Sequence, residues 1–262
     1  MGKIGIALSG GGARGAAHIG VLQALLEHDI RPDVVSGASA GSIIGALYAG
    51  GFSPDEMLQF IRDSNVLRLV RLGIPTGGFS KLTYLHDRLA ATLPADDFAS
   101  LQRPLYVAIS NINTGQLEIR HEGSLFNVIV ASSSIPLVFK PMEIDGQLYL
   151  DGGLLCNLPA FPLRDQVDLL IGVNLIPLKE RSVKSLNGVF STAYRCFDLS
   201  IMANTRPQLD LCDVLIEADG LVDYHIFQFN KYLDMYQLGY DAAVAKIGLI
   251  KERMAALKPQ DG

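Results

Sequence analysis

Three short stretches of this chain carry residue types at spacings that suit chemistry: Gly10-Gly11-Gly12-Ala13-Arg14-Gly15, Gly37-Ala38-Ser39-Ala40-Gly41 and Asp151-Gly152-Gly153. The second is G-x-S-x-G, the spacing of a nucleophile elbow. Residues without bulk permit a tight strand-to-helix turn that lifts a serine hydroxyl clear of the backbone. Ser39 would then stand at a helix N-terminus, whose partial positive charge favours a developing alkoxide and oxyanion. The same small residues also suit a helix that merely packs closely on a sheet, and the pentapeptide alone fits both readings.

The first stretch matches G-x-G-x-x-G between a strand and a helix, the context of a dinucleotide-binding turn. That use also needs an acid at the carboxyl end of the second strand, whereas Asp33 opens that strand and Gly37 closes it. The other use is an anion nest. If the two strands are neighbours in a parallel sheet, backbone N–H groups over Gly10, Gly11, Gly12 and Ala13 face Ser39 as an oxyanion hole. Arg14 fits a solvated or capping residue and, equally, a contact to a lipid phosphate.

A serine nucleophile needs a base. Asp145 and Asp151 both sit in ordinary turn chemistry, but Asp145-Gly146 is fully explained as a hairpin turn between Lys140–Ile144 and Gln147–Leu150. Asp151 ends a strand before two glycines, which suits a side chain aimed into a crevice. The alternative is a Ser-His-Asp triad in the chain order serine, acid, histidine, and of the five histidines only His225 follows Asp151. His225 lies in an acidic, loop-like stretch, Asp223-Tyr224-His225, that reads as surface. His18 falls one turn into the helix after the first glycine stretch and reads as a packing or hydrogen-bonding residue.

The elements that must position these residues follow from periodicity and breakers. Ile4–Leu8 and Asp33–Ser36 read as buried strands, each followed by a helix (Ala16–Glu27, then Ile43–Leu47), the βαβ unit of a parallel sheet. Ser53-Pro54-Asp55-Glu56 opens a third helix ending near Asp63. Leu82–Leu93 is an amphipathic helix, Leu105–Ile112 and Gln116–Arg120 form a hairpin, and Phe126–Ser133 is helical. Leu169–Leu175 and Val214–Ile216 are strands. Ser185–Ala203 and Asn230–Leu257 are helices, the first reading as core through Val189, Phe190, Ala193, Tyr194, Phe197 and Ile201. Residues 66–81 read as a loop that could form a lid or acyl-chain entrance through Leu67, Leu69 and Phe79, or a partly buried loop.

Composition narrows the class. With 262 residues, 49% hydrophobic and 19% charged, the chain can bury a sizeable core, which excludes a disordered protein. A formal charge of −5 argues against nucleic acid as a partner. The basic run Arg62, Arg68, Arg71, Lys81 and Arg88 is the surface suited to anionic lipid. Three widely spaced cysteines, Cys156, Cys196 and Cys212, suggest neither a disulfide framework nor a metal site. The N-terminus lacks the apolar run of a signal peptide. Both point to a cytoplasmic protein, with peripheral contact at the inner membrane surface possible.

SGGGARG, then GASAG, then Asp151-Gly152-Gly153 resembles the bacterial patatin-like phospholipases, serine acyl-hydrolases related to the catalytic domain of neuropathy target esterase. Ala131-Ser132-Ser133-Ser134-Ile135-Pro136 and Asn157-Leu158-Pro159 also resemble segments of that family. The resemblance covers roughly residues 4–175. It implies a three-layer α/β fold over residues 1–262, a mostly parallel central sheet with helices on both faces, and a Ser39–Asp151 dyad without histidine. It further implies hydrolysis of lipid or phospholipid acyl esters through an acyl-serine intermediate. No metal or organic cofactor is implied. A dinucleotide-binding module and a non-catalytic lipid-binding protein of the same fold are the rival readings.

Overall fold

The computed structural model describes residues 2–63, 82–176 and 187–257. Its centre is β1 (Ile4–Leu8), five buried residues between two parallel neighbours. On one side β2 (Val34–Gly37) runs in register from Gly5↔Val34 to Leu8↔Gly37; on the other β7 (Leu169–Asn174) runs from Ile4↔Leu169 to Leu8↔Val173. A strand buried on both faces has no polar face to show, so these segments read as short apolar runs rather than alternations. Alternation persists in where they pack. Ile4, Ile6 and Leu8 join one core with α1 (Ala16–Glu27), α2 (Ala40–Ala49) and α5 (Leu125–Ser132). Ala7, Val34 and Leu170 face Leu158, Ala160 and Leu163 on the other side, where α6 (Phe161–Arg164) lies. Helices on both faces of a mixed sheet make this an α/β fold.

The sheet runs β5-β6-β3-β2-β1-β7-β8, with β4 added to β3. Here β3 is Leu105–Asn111, β4 Gln116–Arg120, β5 Met142–Ile144, β6 Gln147–Asp151 and β8 Val214–Glu217. Val107 pairs with Gly37 of β2 on one edge and Arg120 of β4 on the other; Ile109 pairs with Asp151 of β6 and Glu118 of β4. Hence β2 and β6 share one edge of β3. β2 stops at Gly37, and β6 takes over that edge two residues later, running antiparallel. The C-terminal residue of β6 is therefore delivered to the end of β2.

The hairpin turn expected at Asp145-Gly146 has positive φ at both residues (50° and 73°), as a type I′ turn requires. The helix expected at Ser53 is α3 (Pro54–Asp63). Its first turn carries a capping box, Glu56 accepting from the Ser53 N–H at 2.8 Å. The helix expected over Leu82–Leu93 is α4 (Thr83–Thr92). The loop expected at residues 66–81, with Leu67, Leu69 and Phe79, lies outside the described residues.

Two expectations are corrected. The helix read as Ser185–Ala203 is described as α7 (Val189–Leu209) and continues two residues past Pro207, whose missing N–H forfeits one bond to the preceding turn close to the helix end. Its Val189 is 84% exposed rather than core. The helix meets the body further on, through Phe197 and Ile201 packed with Ile135, Ile226 and Phe227. The single helix read over Asn230–Leu257 is two, α8 (Tyr232–Val244) and α9 (Ile247–Ala256). The bonding tightens at the break, where the Lys246 N–H donates to the Ala243 carbonyl at 2.8 Å. Buried residues pass through it in unbroken helical spacing, Met235, Gly239, Ala243, Ile247 and Ile250, so periodicity does not reveal it.

Candidate active site

Both glycine stretches follow the carboxyl ends of adjacent parallel strands and so share one crevice, the usual ligand position in such sheets. Ser39 caps α2 with φ 51° and ψ −124°, a conformation that costs a non-glycine residue about 1–3 kcal/mol. The surroundings enforce it. A methyl group at Gly37 would lie 2.5 Å from the Gly41 carbonyl, and one at Gly41 would overlap the Leu8 carbonyl oxygen. The two glycines of G-x-S-x-G thus let the turn fold onto itself and onto β1. The Ser39 N–H donates to the Ser132 hydroxyl at 2.9 Å, which in turn donates to the Ala108 carbonyl at 2.8 Å. Ser42 donates to the Ser39 carbonyl at 2.7 Å.

At the end of β6, Asp151 is 2% exposed. Its backbone is pinned by Ser110, whose hydroxyl donates to the Asp151 carbonyl at 2.9 Å, and by its own N–H donating to the Ser134 carbonyl at 3.0 Å. Its carboxylate accepts from the Gly153 N–H at 2.8 Å and from the Ser39 hydroxyl. Burial raises its pKa to about 7, against the opposing pull of those two hydrogen bonds. An aspartate at its ordinary value is a poor proton acceptor for a serine; one near 7 is matched to that task.

The glycine loop contributes less than its four candidate donors. The Gly10 N–H is committed to the Asn157 carbonyl at 3.0 Å and the Ala13 N–H to the Ile226 carbonyl at 2.7 Å. These bonds hold the loop between its neighbours and remove Gly10 and Ala13 from the expected oxyanion hole. The Gly11 and Gly12 N–H groups have no acceptor among the described residues. Arg14 braces the loop, its guanidinium donating to the Tyr224 carbonyl at 2.7 and 3.0 Å and to Leu175 at 3.4 Å, and it also lines the crevice.

The histidines stand apart from the serine–carboxylate contact. His18 is fully buried, its Nε2–H donating to the Ser9 carbonyl at 2.8 Å, and burial lowers its pKa to about 4. It is a neutral buttress behind the glycine loop. His225 is exposed on the cavity rim, where its Nδ1 accepts from the Phe227 N–H at 3.3 Å. The Asp33 carboxylate accepts from the Ile4 N–H at 2.8 Å, at the opposite end of the sheet from the glycine loop, so it does not stand where a dinucleotide ribose would need an acid.

Ser39 opens onto two cavities. One, of about 200 Å³, is lined by Gly10 to Gly12, Asp151 and Asn157, with charged Arg195, Asp198 and Asp223. The other, of about 130 Å³, is almost wholly apolar, lined by Ile43, Ile44, Phe60, Leu85, Phe139 and Phe229 among others.

A family model described as patatin-like phospholipase matches residues 6–164, more than half of the chain. The chain belongs to the patatin-like phospholipase family. A Mycobacterium bovis protein described as an uncharacterized NTE family protein is 33% identical over 66% of this chain and 49% of its own length. Lysophospholipase NTE1 of Saccharomyces cerevisiae is 32% identical over 62% of this chain and 10% of its own. This patatin-like chain thus spans half or less of the length of these curated relatives. Among solved structures, VipD from Legionella pneumophila superposes with a TM-score of 0.55 at 18% identity, covering 95% of this chain and 67% of that one. Human GIVD cytosolic phospholipase A2 superposes at 0.52 and 12%, covering 97% and 59%. Both likenesses are of fold.

Several residues of this patatin-like site escaped the sequence reading. Ser132 was visible only as part of a family-like segment, yet it fixes the Ser39 backbone. Asn157 lies in another such segment and lines the crevice at 1% exposure. Ile226 and Tyr224, which close the glycine loop, lie in a stretch whose only signal was acidity.

Proposed function

We propose that this chain hydrolyses carboxylic esters of lipids by acyl transfer, with Ser39 as nucleophile, Asp151 as general base, and the Gly11 and Gly12 N–H groups as oxyanion hole. The observation that carries the reading is the Ser39 hydroxyl bonded to a buried carboxylate whose pKa is about 7, beside two amide donors that have no acceptor among the described residues. As the Ser39 oxygen attacks the acyl carbonyl carbon, its proton passes to Asp151. The carbonyl oxygen gains charge against Gly11, Gly12 and the N-terminus of α2; removing one such donor typically costs about 10²–10³ in rate. Collapse breaks the bond to the alcohol, which takes the proton from Asp151. Water then attacks acyl-Ser39, giving its proton to the same carboxylate, and the free acid leaves as Ser39 recovers a proton.

The apolar cavity suits the acyl chain and the polar one the alcohol with its head group, because only the former can accept methylene groups without burying unpaired polar atoms. The yeast relative named a lysophospholipase supports a lipid ester as substrate. The acid-poor stretch from Arg62 to Arg88 suits peripheral contact with an anionic inner membrane surface from the cytoplasm. Among the described residues no helix is long and apolar enough to cross a membrane.

Ser39→Ala and Asp151→Asn, each checked by circular dichroism for a native spectrum, test the reading with a chromogenic acyl ester and a lysophospholipid. Loss of about 10³-fold or more in kcat is expected from each. A fluorophosphonate should label the parent and leave Ser39→Ala unlabelled. Full activity in either variant overturns the assignment. Stabilisation by NAD in a thermal shift, with no labelling, would favour a nucleotide-binding module instead.

A further inference from the structure

Asn157 is 1% exposed, lines the crevice, and its Nδ2 has no hydrogen-bond partner among the described residues. A buried amide left unpaired is rare enough to need a cause. Its backbone is held on both sides: the carbonyl accepts from the Gly10 N–H at 3.0 Å, and the N–H donates to Asn204 Oδ1 at 2.9 Å. Asn204 in turn donates to the Gly153 carbonyl at 2.9 Å, so Asn157 ties the aspartate turn to the glycine loop. The carboxamide oxygen points into the junction these elements make. A methyl at Gly10 would overlap Asn157 Oδ1 and lie 3.1 Å from Ser39 Cβ. One at Gly153 would lie 2.9 Å from Asn157 Oδ1 and 3.0 Å from Asp151 Oδ1.

The Asn157 and Asp151 side-chain oxygens thus face the same space beside Gly153, which suits two oxygens only while one carries a proton. With Asp151 protonated, the Asn157 oxygen can accept from it; with Asp151 ionised, the two repel, and the amide nitrogen on the far side has no acceptor to keep it there. Turning the carboxamide by half a revolution about its broad terminal torsion aims its N–H groups at the space the carboxylate faces. We propose that Asn157 is a positioning residue whose carboxamide follows the proton on Asp151, presenting its oxygen to the acid and its N–H groups to the carboxylate. It thereby eases removal and return of the proton in each half of the reaction. The inference rests on the dyad assignment above. The other charged or titratable groups on this cavity wall are Arg14, Arg195, Asp198, Asp223 and His225, with neutral His18 behind the glycine loop. The carboxylate's own hydrogen bonds come from Ser39 and Gly153.

The test is the pH profile of kcat/KM for Asn157→Ala and the near-isosteric Asn157→Leu, both of which keep the backbone bonds. Without a donor the ionised carboxylate loses a charge-assisted bond, so the acidic limb should move up by about one pH unit or more, with KM little changed and activity recovering at alkaline pH. Asn157→Ser, which keeps a group able to donate and accept, should restore part of the shift. An unmoved limb, whether activity falls evenly at all pH values or stays at the parental level, overturns the proposal while leaving the dyad intact. If Asn157→Ala does not fold, the Leu and Ser profiles decide in the same way. Undiminished activity in Ser39→Ala would instead remove the dyad assignment itself.

Discussion

At the scale of the residue, burial gives Asp151 opposite effects on activity and on stability. Its pKa in the folded chain is about 7 against an ordinary 3.8, because the charged form is desolvated. The proposed general base must be ionised, so kcat/KM should rise with pH through about 7 and level above it. Stability runs the other way. The folded chain holds the proton more tightly than the unfolded one, so this contribution is complete below about pH 4 and is lost as pH rises to about 7. Asp151→Asn, neutral throughout, should therefore gain in stability relative to the parent between pH 4 and 7, by at most about 4 kcal/mol at the upper end, and hold a constant difference beyond. Melting curves at four or five pH values check this; a difference that does not change with pH would mean the carboxylate is not desolvated. The turns that carry Ser39 and Asp151 were legible in the chain because they are local; their pairing as a dyad came only from the family resemblance. Which amides stay free was not legible. Gly10 and Ala13 lose their donors to Asn157 and Ile226, partners 147 and 213 positions away.

At the scale of the element, the strands, turns and most helices follow from local pattern, and the failures are instructive. Spacing of buried residues cannot register the two-residue break between α8 and α9, because the apolar stripe crosses it in phase. The elbow, in contrast, is written in its glycines, and substitutions there should separate close packing from conformation. Gly41→Ala would drive a methyl into the Leu8 carbonyl, so it should cost several kcal/mol or prevent folding, as overpacking against backbone does. Gly248, in α9, has nothing within 4 Å of where a methyl would stand. Gly248→Ala should stabilise by about 0.5–1 kcal/mol through helix propensity and a less flexible unfolded chain. Urea denaturation of both variants measures the contrast; a Gly41→Ala protein as stable as the parent would show that β1 and the elbow can part without loss.

At the scale of the molecule, the family match ends at residue 164, yet the fold does not. β1 pairs with β7 along its whole length, and α1 packs on α8 so closely that Gly20 lies against the Tyr236 carbonyl and Gly239 against the Ala17 carbonyl. Arg14 ties the glycine loop to Leu175 and Tyr224. A chain ending at Arg164 would expose one edge of its central strand and one face of its first helix, and should be unfolded by circular dichroism and inactive. A soluble, active fragment would show these contacts to be dispensable. The order of residue types along the chain was enough to set the βαβ start, the hairpins and the glycine turns that carry Ser39 and Asp151, because each depends on neighbours within a few positions. The meeting of that serine with that aspartate was decided by the sheet alone. β2 stops at Gly37 and β6 continues the same edge of β3 in the opposite direction, a pairing register across more than a hundred residues that no local preference encodes.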